Sequence, residues 1–289
     1  MKSLFLLLLI TNLNAEAASP QPPLLMASFS VIQSLVEQIA PKDLRVEAFV
    51  PIEADPHDFK LSIQDIMKLK NVQIYFYFGH GVDDHMITNQ KVEKACQVSS
   101  KLKLLEDNSK NKDPHAWQDP LMGIQIAETI LFCLIQTYPD QEKQMQKNFK
   151  NLSLDLKKIS NEYKKLFQTL PIDNKKIVTA HRAFQYLEKP FQLQIRSIQG
   201  LHSHSEPSAR SLQNLIDQIK TDKISHIFPE KSEVSSTFKR LQSLTTVELG
   251  PRLYSDTLSS KSGPAANYQD LIRHNLKSIY QALKTKDDL

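Results

Sequence analysis

Apolar residues in the first half of the chain form short runs separated by amphipathic segments, a pattern that predicts strands alternating with helices. The run at 72–78 is apolar and aromatic throughout, as in a strand of a parallel sheet that is buried on both faces. The predicted strands are residues 24–29, 45–50 and 72–78, and a weaker unit covers residues 84–105. Three residues, Ser30, Ser62 and Asp119, are placed to cap helices that end near Ile39, Leu69 and Tyr138.

Between residues 140 and 170 the pattern changes to a single apolar stripe with helical spacing. The stripe residues, separated by alternating steps of three and four, are Phe149, Leu152, Leu156, Ile159, Tyr163, Leu166 and Leu170. Lysines and other polar residues occupy the opposite face. The pattern predicts one amphipathic helix about 45 Å long at ~1.5 Å per residue. A single helix is favoured over one strand of a coiled coil, because only about three heptads are present.

Strands and helices alternate again after Pro171, which ends the long helix. The predicted strands are residues 176–180, 191–198, 224–228 and 246–249, and the predicted helices are residues 207–219 and 265–283. The whole pattern predicts the α/β fold class, with two α/β halves built on parallel strands and one long helix between them. The expected lobes are residues 18–138 and 171–289, with residues 139–170 as the linking helix.

The first seventeen residues have the features of a secretory signal peptide rather than of a folded segment. Lys2 supplies a positive charge, residues 4–10 form a short apolar core, and Ala15-Glu16-Ala17 is a small-x-small cleavage site. The alternative is a buried N-terminal helix. No cysteine lies near the cleavage site and no later stretch is expected to cross a bilayer. We therefore expect a protein of the periplasm without a lipid anchor.

Composition excludes some partners and leaves one covalent question open. A hydrophobic content of 40 %, with 24 % charged residues and a net charge of +4, is typical of a soluble globular protein. The sequence contains no dense basic patch with interleaved aromatic residues, so it gives no indication of nucleic-acid binding. The two cysteines, Cys96 and Cys133, could form a disulfide after export. Two separate buried thiols are favoured, because Cys133 lies in an apolar helix.

The tripeptide Asp-Pro-His occurs twice, as residues 55–57 and 113–115. Proline fixes φ and has no N–H, and the residue before a proline is biased away from helix. Each copy therefore predicts a rigid corner that holds a histidine, His57 or His115, in a fixed position. The only tryptophan, Trp117, follows the second corner and is expected to pack behind His115.

Two further residues are candidates because of their positions near strand ends. His181 stands at the end of a predicted strand, and Asp256 lies in a loop after another. Ligands of open parallel sheets bind beyond the carboxyl ends of the strands. Imidazole suits first-row divalent metals and a carboxylate can complete the ligand set. A metal site at His57, His115, His181 and Asp256 is therefore a candidate, although spacing alone does not distinguish it from four structural residues.

The remaining polar candidates are interpreted conservatively. The loop histidines His80, His85, His202 and His204 are expected to be solvated, with metal recruitment at the cleft mouth as the alternative for the last two. The histidines at 226 and 274 are interpreted as structural. Glu230, at a strand end, is expected to be a surface charge rather than an acceptor for one of the histidines.

At these residues the chain resembles the solute-binding proteins of zinc and manganese ABC importers. The matching segments are ADPHDF at 54–59, DPHAWQDP at 113–120, TAHRAFQYL at 179–187, GLHSHSEPSA at 200–209, and residues 253–275 with Asp256, Tyr268 and Asn275. The resemblance implies two α/β lobes joined by a long helix, with a metal ion between them. It also implies that His57, His115, His181 and Asp256 bind that ion, and that a permease of the inner membrane receives it.

Several departures limit what the resemblance implies about the metal. Residues 106–112 contain no histidine, whereas zinc-specific members often carry a His-rich loop there. In the segment TAHRAFQYL, the glycine that usually follows the phenylalanine is replaced by Gln185. We interpret this replacement as a change on a helix surface. Manganese importers often have glutamate at the position of His181, so Zn²⁺ is expected and Mn²⁺ or Fe²⁺ is the alternative. We expect a monomer. We also expect that the protein is not an enzyme, since the HExxH motif of metal hydrolases is absent. The competing functions are a metal hydrolase, an adhesin and a periplasmic metal buffer.

Overall fold

A computed structural model describes residues 23–88, 92–107, 109–201, 208–230 and 235–284. Its first lobe is built on a four-stranded parallel sheet with the strand order β2-β1-β3-β4. The strands are β1 Leu24–Ala27, β2 Arg45–Ala48, β3 Ile74–Tyr77 and β4 Ala95–Gln97. Tyr75 and Phe76 of β3 are fully buried, as expected for a strand covered on both faces.

The second lobe repeats this layout with a second four-stranded parallel sheet, in the order β6-β5-β7-β8. Its strands are β5 Lys176–Thr179, β6 Gln194–Ser197, β7 His226–Phe228 and β8 Glu248–Leu249. In both sheets the first strand is central, and the next two strands in the chain add on opposite sides of it. The predicted α/β fold with two similar halves is therefore confirmed.

Eight α-helices complete the described part of the chain. They are α1 Ser30–Ile39, α2 Ile63–Leu69, α3 Pro120–Thr137, α4 Glu142–Gln168, α5 Glu188–Phe191, α6 Ala209–Thr221, α7 Ser236–Leu244 and α8 Tyr268–Leu283. Ser62 and Asp119 cap α2 and α3 through their side chains, as predicted. The predicted cap at Ser30 is wrong, because Ser30 is the first residue of α1 and its Oγ accepts a hydrogen bond from the N–H of Leu258 at 3.0 Å.

Two other local predictions differ from the structure. The strand expected at 191–198 begins only at Gln194, because Phe191 ends α5 and Gln192 has a left-handed φ of 58°. α7 was not predicted.

α3 is long and apolar enough by composition to cross a membrane, contrary to expectation. It packs against α1 and α4, and its residues Ile126 and Ile130 are fully buried.

The long helix α4 joins the lobes and spans 27 residues, about 40 Å at ~1.5 Å per residue. Its apolar stripe, including Leu152, Leu156 and Ile159, packs against α1, α3 and α8 of the same chain. The stripe is therefore covered within the chain, as a single packed helix requires. The division at residues 138 and 170 stays a prediction, because α8 returns to pack on α1 and α4.

The two cysteines are bonded to each other. A disulfide joins Cys96 in β4 to Cys133 in α3. The favoured expectation of two separate thiols is therefore wrong. The bond was hidden in the sequence because the two cysteines are 37 residues apart and come together only through the packing of α3 on the sheet.

Candidate metal centre

The repeated Asp-Pro-His tripeptide forms the same closed turn in both places. Oδ1 of Asp55 accepts a hydrogen bond from the N–H of His57 at 2.9 Å, and Oδ1 of Asp113 accepts one from the N–H of His115 at 3.0 Å. An aspartate that bonds the backbone two residues on, with proline between, leaves the turn little freedom. The predicted rigid corners are confirmed.

The second corner also fixes the ring of its histidine. Oδ1 of Asp113 lies 2.9 Å from Nδ1 of His115, and both side chains are fully buried. Trp117 packs edge-on against this ring, with 5.3 Å between the ring centroids. Its Nε1 donates a 2.8 Å hydrogen bond to the carbonyl of Ser255, which belongs to the second lobe. Trp117 therefore packs behind His115 as predicted and also ties the two lobes together.

The last helix holds this corner from the other side. Oη of Tyr268 donates a 2.6 Å hydrogen bond to the carbonyl of Trp117. The Tyr268 ring lies directly over Gly123 of α3, where a Cβ would overlap the phenol. Glycine at this position therefore lets α8 approach the turn that carries His115.

His181 is held by a carboxylate that lies 49 residues further along the chain. Oε1 of Glu230 accepts a hydrogen bond from the N–H of His181 at 3.0 Å, and Oε2 lies 2.6 Å from its Nδ1. The Glu230 side chain is 7 % exposed, so the expectation of a surface charge is wrong. Its position just after β7 was the one signal in the sequence, and the pairing of β7 with β5, the strand that ends before His181, is visible only in the fold.

Asp256 completes a compact cluster between the lobes. Its Oδ1 lies 3.4 Å from Nε2 of His115, its Oδ2 lies 3.3 Å from Nε2 of His181, and these two nitrogens are 3.4 Å apart. A ligand atom of His57 lies within 4.8 Å of those of His115 and Asp256. The structure thus brings all four sequence candidates together. Among the described residues, none donates a hydrogen bond to Oδ1 of buried Asp256, whereas Ser255 donates to Oδ2.

Burial and charge set distinct protonation properties within the cluster. Burial lowers the pKa of His57 to about 4. Burial also acts to lower the pKa of His181, but the carboxylates of Glu230 and Asp256 outweigh it and raise that pKa well above 6.5. For Asp256, burial opposes ionisation, but the neighbouring histidines, His181 above all, hold its pKa well below the usual range. The cluster therefore favours a cation beside an ionised Asp256.

A cavity of about 310 Å³ adjoins the cluster and reaches His181, Glu230 and Asp256. Two residues that line this cavity form an ion pair between the lobes: the guanidinium of Arg252 in the second lobe binds both carboxylate oxygens of Glu53 in the first, at 3.0 and 2.5 Å. Arg252 also donates from Nε to the carbonyl of Glu230 at 2.9 Å. Arg252 thus connects the loop that carries His57 in one lobe with Glu230, a residue just after β7 that binds His181 in the other.

The structure places the other described histidines in separate contacts, and the ring of His80 packs edge-on against Phe78 with 6.3 Å between the ring centroids. Nε2 of His85, in an exposed turn, lies 2.7 Å from the carbonyl of Phe59, and the rings of His226 and His274 bond Ser225 and the carbonyl of Arg252. The residues His202 and His204 lie outside the described residues. The expectation for Gln185 is wrong, because this side chain is buried in the turn Gln185–Leu187 after His181.

Comparisons with known proteins agree with this architecture. The manganese-binding lipoprotein MntA of Bacillus subtilis is 27 % identical over 94 % of this chain and 93 % of its own length. The iron ABC transporter substrate-binding lipoprotein MtsA of Streptococcus pyogenes serotype M1 is 25 % identical over 97 % and 95 %. The periplasmic zinc-binding protein TroA of Treponema pallidum has the same fold, with a TM-score of 0.85 at 23 % identity over 91 % of this chain and 99 % of its own.

The family assignment rests on a match over most of the chain. A family model described as zinc-uptake complex component A, periplasmic, matches residues 25–282, a range that includes both sheets and the linking helix. The resemblance stated from the sequence motifs is therefore confirmed, and this chain belongs to the ZnuA family of substrate-binding components of metal ABC transporters.

Proposed function

We propose that this protein captures one divalent transition metal through His57, His115, His181 and Asp256 and delivers it to an ABC import permease. The spacing of the nitrogens and oxygens carries the proposal: three separations of 3.3 to 3.4 Å link His115, His181 and Asp256. Two ligands that bind one zinc ion at ~2.0–2.1 Å in tetrahedral geometry lie about 3.3 Å apart. Side chains from both lobes are therefore spaced to share one ion.

Zinc is the proposed metal, with manganese or iron as the alternative. Three imidazoles and one carboxylate form a nitrogen-rich ligand set, and zinc binds such sites more tightly than manganese. Relatives named for manganese and iron keep the alternative open. Four protein ligands leave no open position for a reactive water on a tetrahedral ion, so the proposed protein is a carrier and not a hydrolase.

The proposed location is the periplasm. The leader-like residues 1–17 lie outside the described residues, and the proposal of a cleaved leader without a lipid anchor rests on their sequence. The relatives MntA and MtsA are named as lipoproteins, so metabolic labelling with a fatty acid is the direct check. Incorporation of label would contradict the absence of an anchor and leave the metal site unaffected.

Two measurements test the function. The purified mature chain should bind one equivalent of Zn²⁺ in a titration, and a strain lacking the protein should stop growing at a chelator concentration that the parent tolerates. Rescue by Zn²⁺, by the intact gene and not by the His181→Ala variant supports import. Normal growth of the deletion strain in chelator, with stoichiometric binding in vitro, would instead indicate a metal buffer or an adhesin.

A further inference from the structure

Two carboxylates in the metal centre make the same pair of contacts to a histidine. Asp113 reaches both the backbone N–H and Nδ1 of His115, and Glu230 reaches both the backbone N–H and Nδ1 of His181. Asp113 does so within a turn of three residues. Glu230 does so from the segment that follows another strand, β7, so its contact depends on the fold of the second lobe.

We propose that Glu230 is a positioning residue that sets the metal preference of the site through His181; this inference rests on the proposed function. A neutral imidazole that donates its Nδ1 proton to a carboxylate has an unprotonated Nε2. Nε2 of His181 is the atom that lies 3.4 Å from Nε2 of His115 and 3.3 Å from Asp256. Glu230 therefore selects the ring orientation and the tautomer that present a lone pair to the ion.

The contacts of Glu230 favour this role over direct metal binding. Ligand atoms of Glu230, His181 and Asp256 do lie within 4.8 Å of one another, so Glu230 could itself act as a ligand. Both of its oxygens, however, already bind His181, at 3.0 and 2.6 Å. Its backbone is held in place because its carbonyl accepts a hydrogen bond from Nε of Arg252 at 2.9 Å. A ligand role would require the side chain to give up a buried pairing.

The same contact bears on selectivity. A carboxylate on the far nitrogen of a ligand histidine raises the basicity of the nitrogen that binds the metal, and losing such a partner typically costs 10–100-fold in metal affinity. Zinc gains more than manganese from a strong nitrogen donor, because manganese prefers oxygen ligands. Glu230 therefore widens the gap between the affinities for Zn²⁺ and Mn²⁺.

The test compares Glu230→Gln with the parent by chelator competition, using Zn²⁺ and Mn²⁺ separately. We expect the Zn²⁺ affinity to fall about 10–100-fold and the Mn²⁺ affinity to fall less. Glu248→Gln is the matched control, because it makes the same change at a side chain that is 82 % exposed in the same lobe. The control should leave both affinities at the parental value.

A double-mutant cycle separates positioning from a merely structural role. In the His181→Ala background, adding Glu230→Gln should have no further effect on Zn²⁺ affinity, since the histidine it orients is gone. The visible spectrum of bound Co²⁺ should also change in Glu230→Gln and remain parental in Glu248→Gln. If Glu230→Gln folds poorly, Glu230→Asp keeps the charge but loses the reach to Nδ1, and the same narrowing of the Zn²⁺/Mn²⁺ gap is expected.

Several results would overturn the inference. Glu230 does not act through His181 if the losses of Zn²⁺ affinity in the two single variants add up in the double variant. The same conclusion follows if Glu230→Gln loses affinity equally for Zn²⁺ and Mn²⁺, or if both Glu230 variants keep the parental Zn²⁺ affinity. Failure of the proposed function has a different result, namely a parental protein that binds no Zn²⁺, or one that binds it equally well after His181→Ala.

Discussion

Nε2 of His115 and Nε2 of His181 lie 3.4 Å apart, although the two residues belong to different lobes. Each ring is turned to this position by a carboxylate on its other nitrogen, Asp113 for one and Glu230 for the other. Two imidazoles whose far nitrogens are held in this way turn toward each other the Nε2 atoms that bind a metal ion once they carry no proton. The orientations of both rings are thus fixed by protein contacts in the absence of a metal ion.

The first prediction concerns the loss of one imidazole. His115→Ala should weaken Zn²⁺ binding strongly, because its nitrogen lies at the centre of the cluster, and His57→Ala and His181→Ala should do the same. His226→Ala is the control, since that ring bonds Ser225 instead. Zn²⁺ should also stabilise the parent by about 2.7 kcal/mol at a hundredfold excess over its Kd, as measured by thermal unfolding. Parental binding in all three cluster variants would place the site elsewhere.

The second prediction is that metal affinity falls as the pH falls. A histidine must lose its proton to bind metal. Burial lowers the pKa of His57 to about 4, so protons compete little with the metal ion for this residue at pH 5–8. The pKa of His181 is raised by Glu230 and Asp256 against the effect of burial, so protons compete with Zn²⁺ there. Affinity should therefore rise with pH until the pKa of His181 is passed.

Calorimetry in two buffers with different ionisation heats measures the protons released when Zn²⁺ binds. We expect a net release near neutral pH that is lost in His181→Ala. A Zn²⁺ affinity that stays constant between pH 7.5 and 5 would contradict this prediction.

The third prediction is that metal binding changes the distance between the lobes little. α4 links the lobes as one packed helix, and hydrogen bonds from Trp117 and Gln118 to the carbonyl of Ser255 cross the cleft at 2.8 Å. Tyr186 adds a third, from its Oη to the carbonyl of Asp113 at 2.6 Å. Scattering curves of the metal-free and Zn²⁺-bound protein should nearly superimpose, and a large compaction would refute the prediction.

The fourth prediction concerns the choice of metal at His181. His181→Glu replaces a borderline nitrogen donor by a hard oxygen, which suits manganese better than zinc. It also brings a second carboxylate against Glu230. We expect a lower Zn²⁺ affinity and a smaller Zn²⁺/Mn²⁺ ratio, measured by metal content after purification from metal-balanced medium. An unchanged ratio would show that this position does not set selectivity.

The predictions made from sequence succeeded where the physical cause is local. The Asp-Pro-His corners were found because Asp55 and Asp113 bond a backbone N–H only two residues away. The long helix was found because its stripe repeats over many turns. The convergence of the four candidates followed from the rule that parallel sheets bind at their carboxyl ends, together with the family resemblance.

The misses share a different cause, which is contact between residues far apart in sequence. Glu230 looked like a surface charge because nothing near it in sequence shows that β7 lies beside β5. Gln185 was assigned to a helix surface, although the turn that contains it packs near the turn that follows His115. The cysteines were judged by the apolar helix around Cys133, and no local pattern reports the strand that faces it.

The last helix also determines the order in which the chain can complete its fold. Leu276, Ile279 and Leu283 of α8 belong to the same apolar cluster as α1, near the start of the chain. A chain that emerges with its N-terminus first therefore cannot complete this hydrophobic core until α8 has emerged. Contacts of such long sequence separation slow folding. A polypeptide that must pass a membrane unfolded gains time from this delay, so the position of α8 favours translocation before folding.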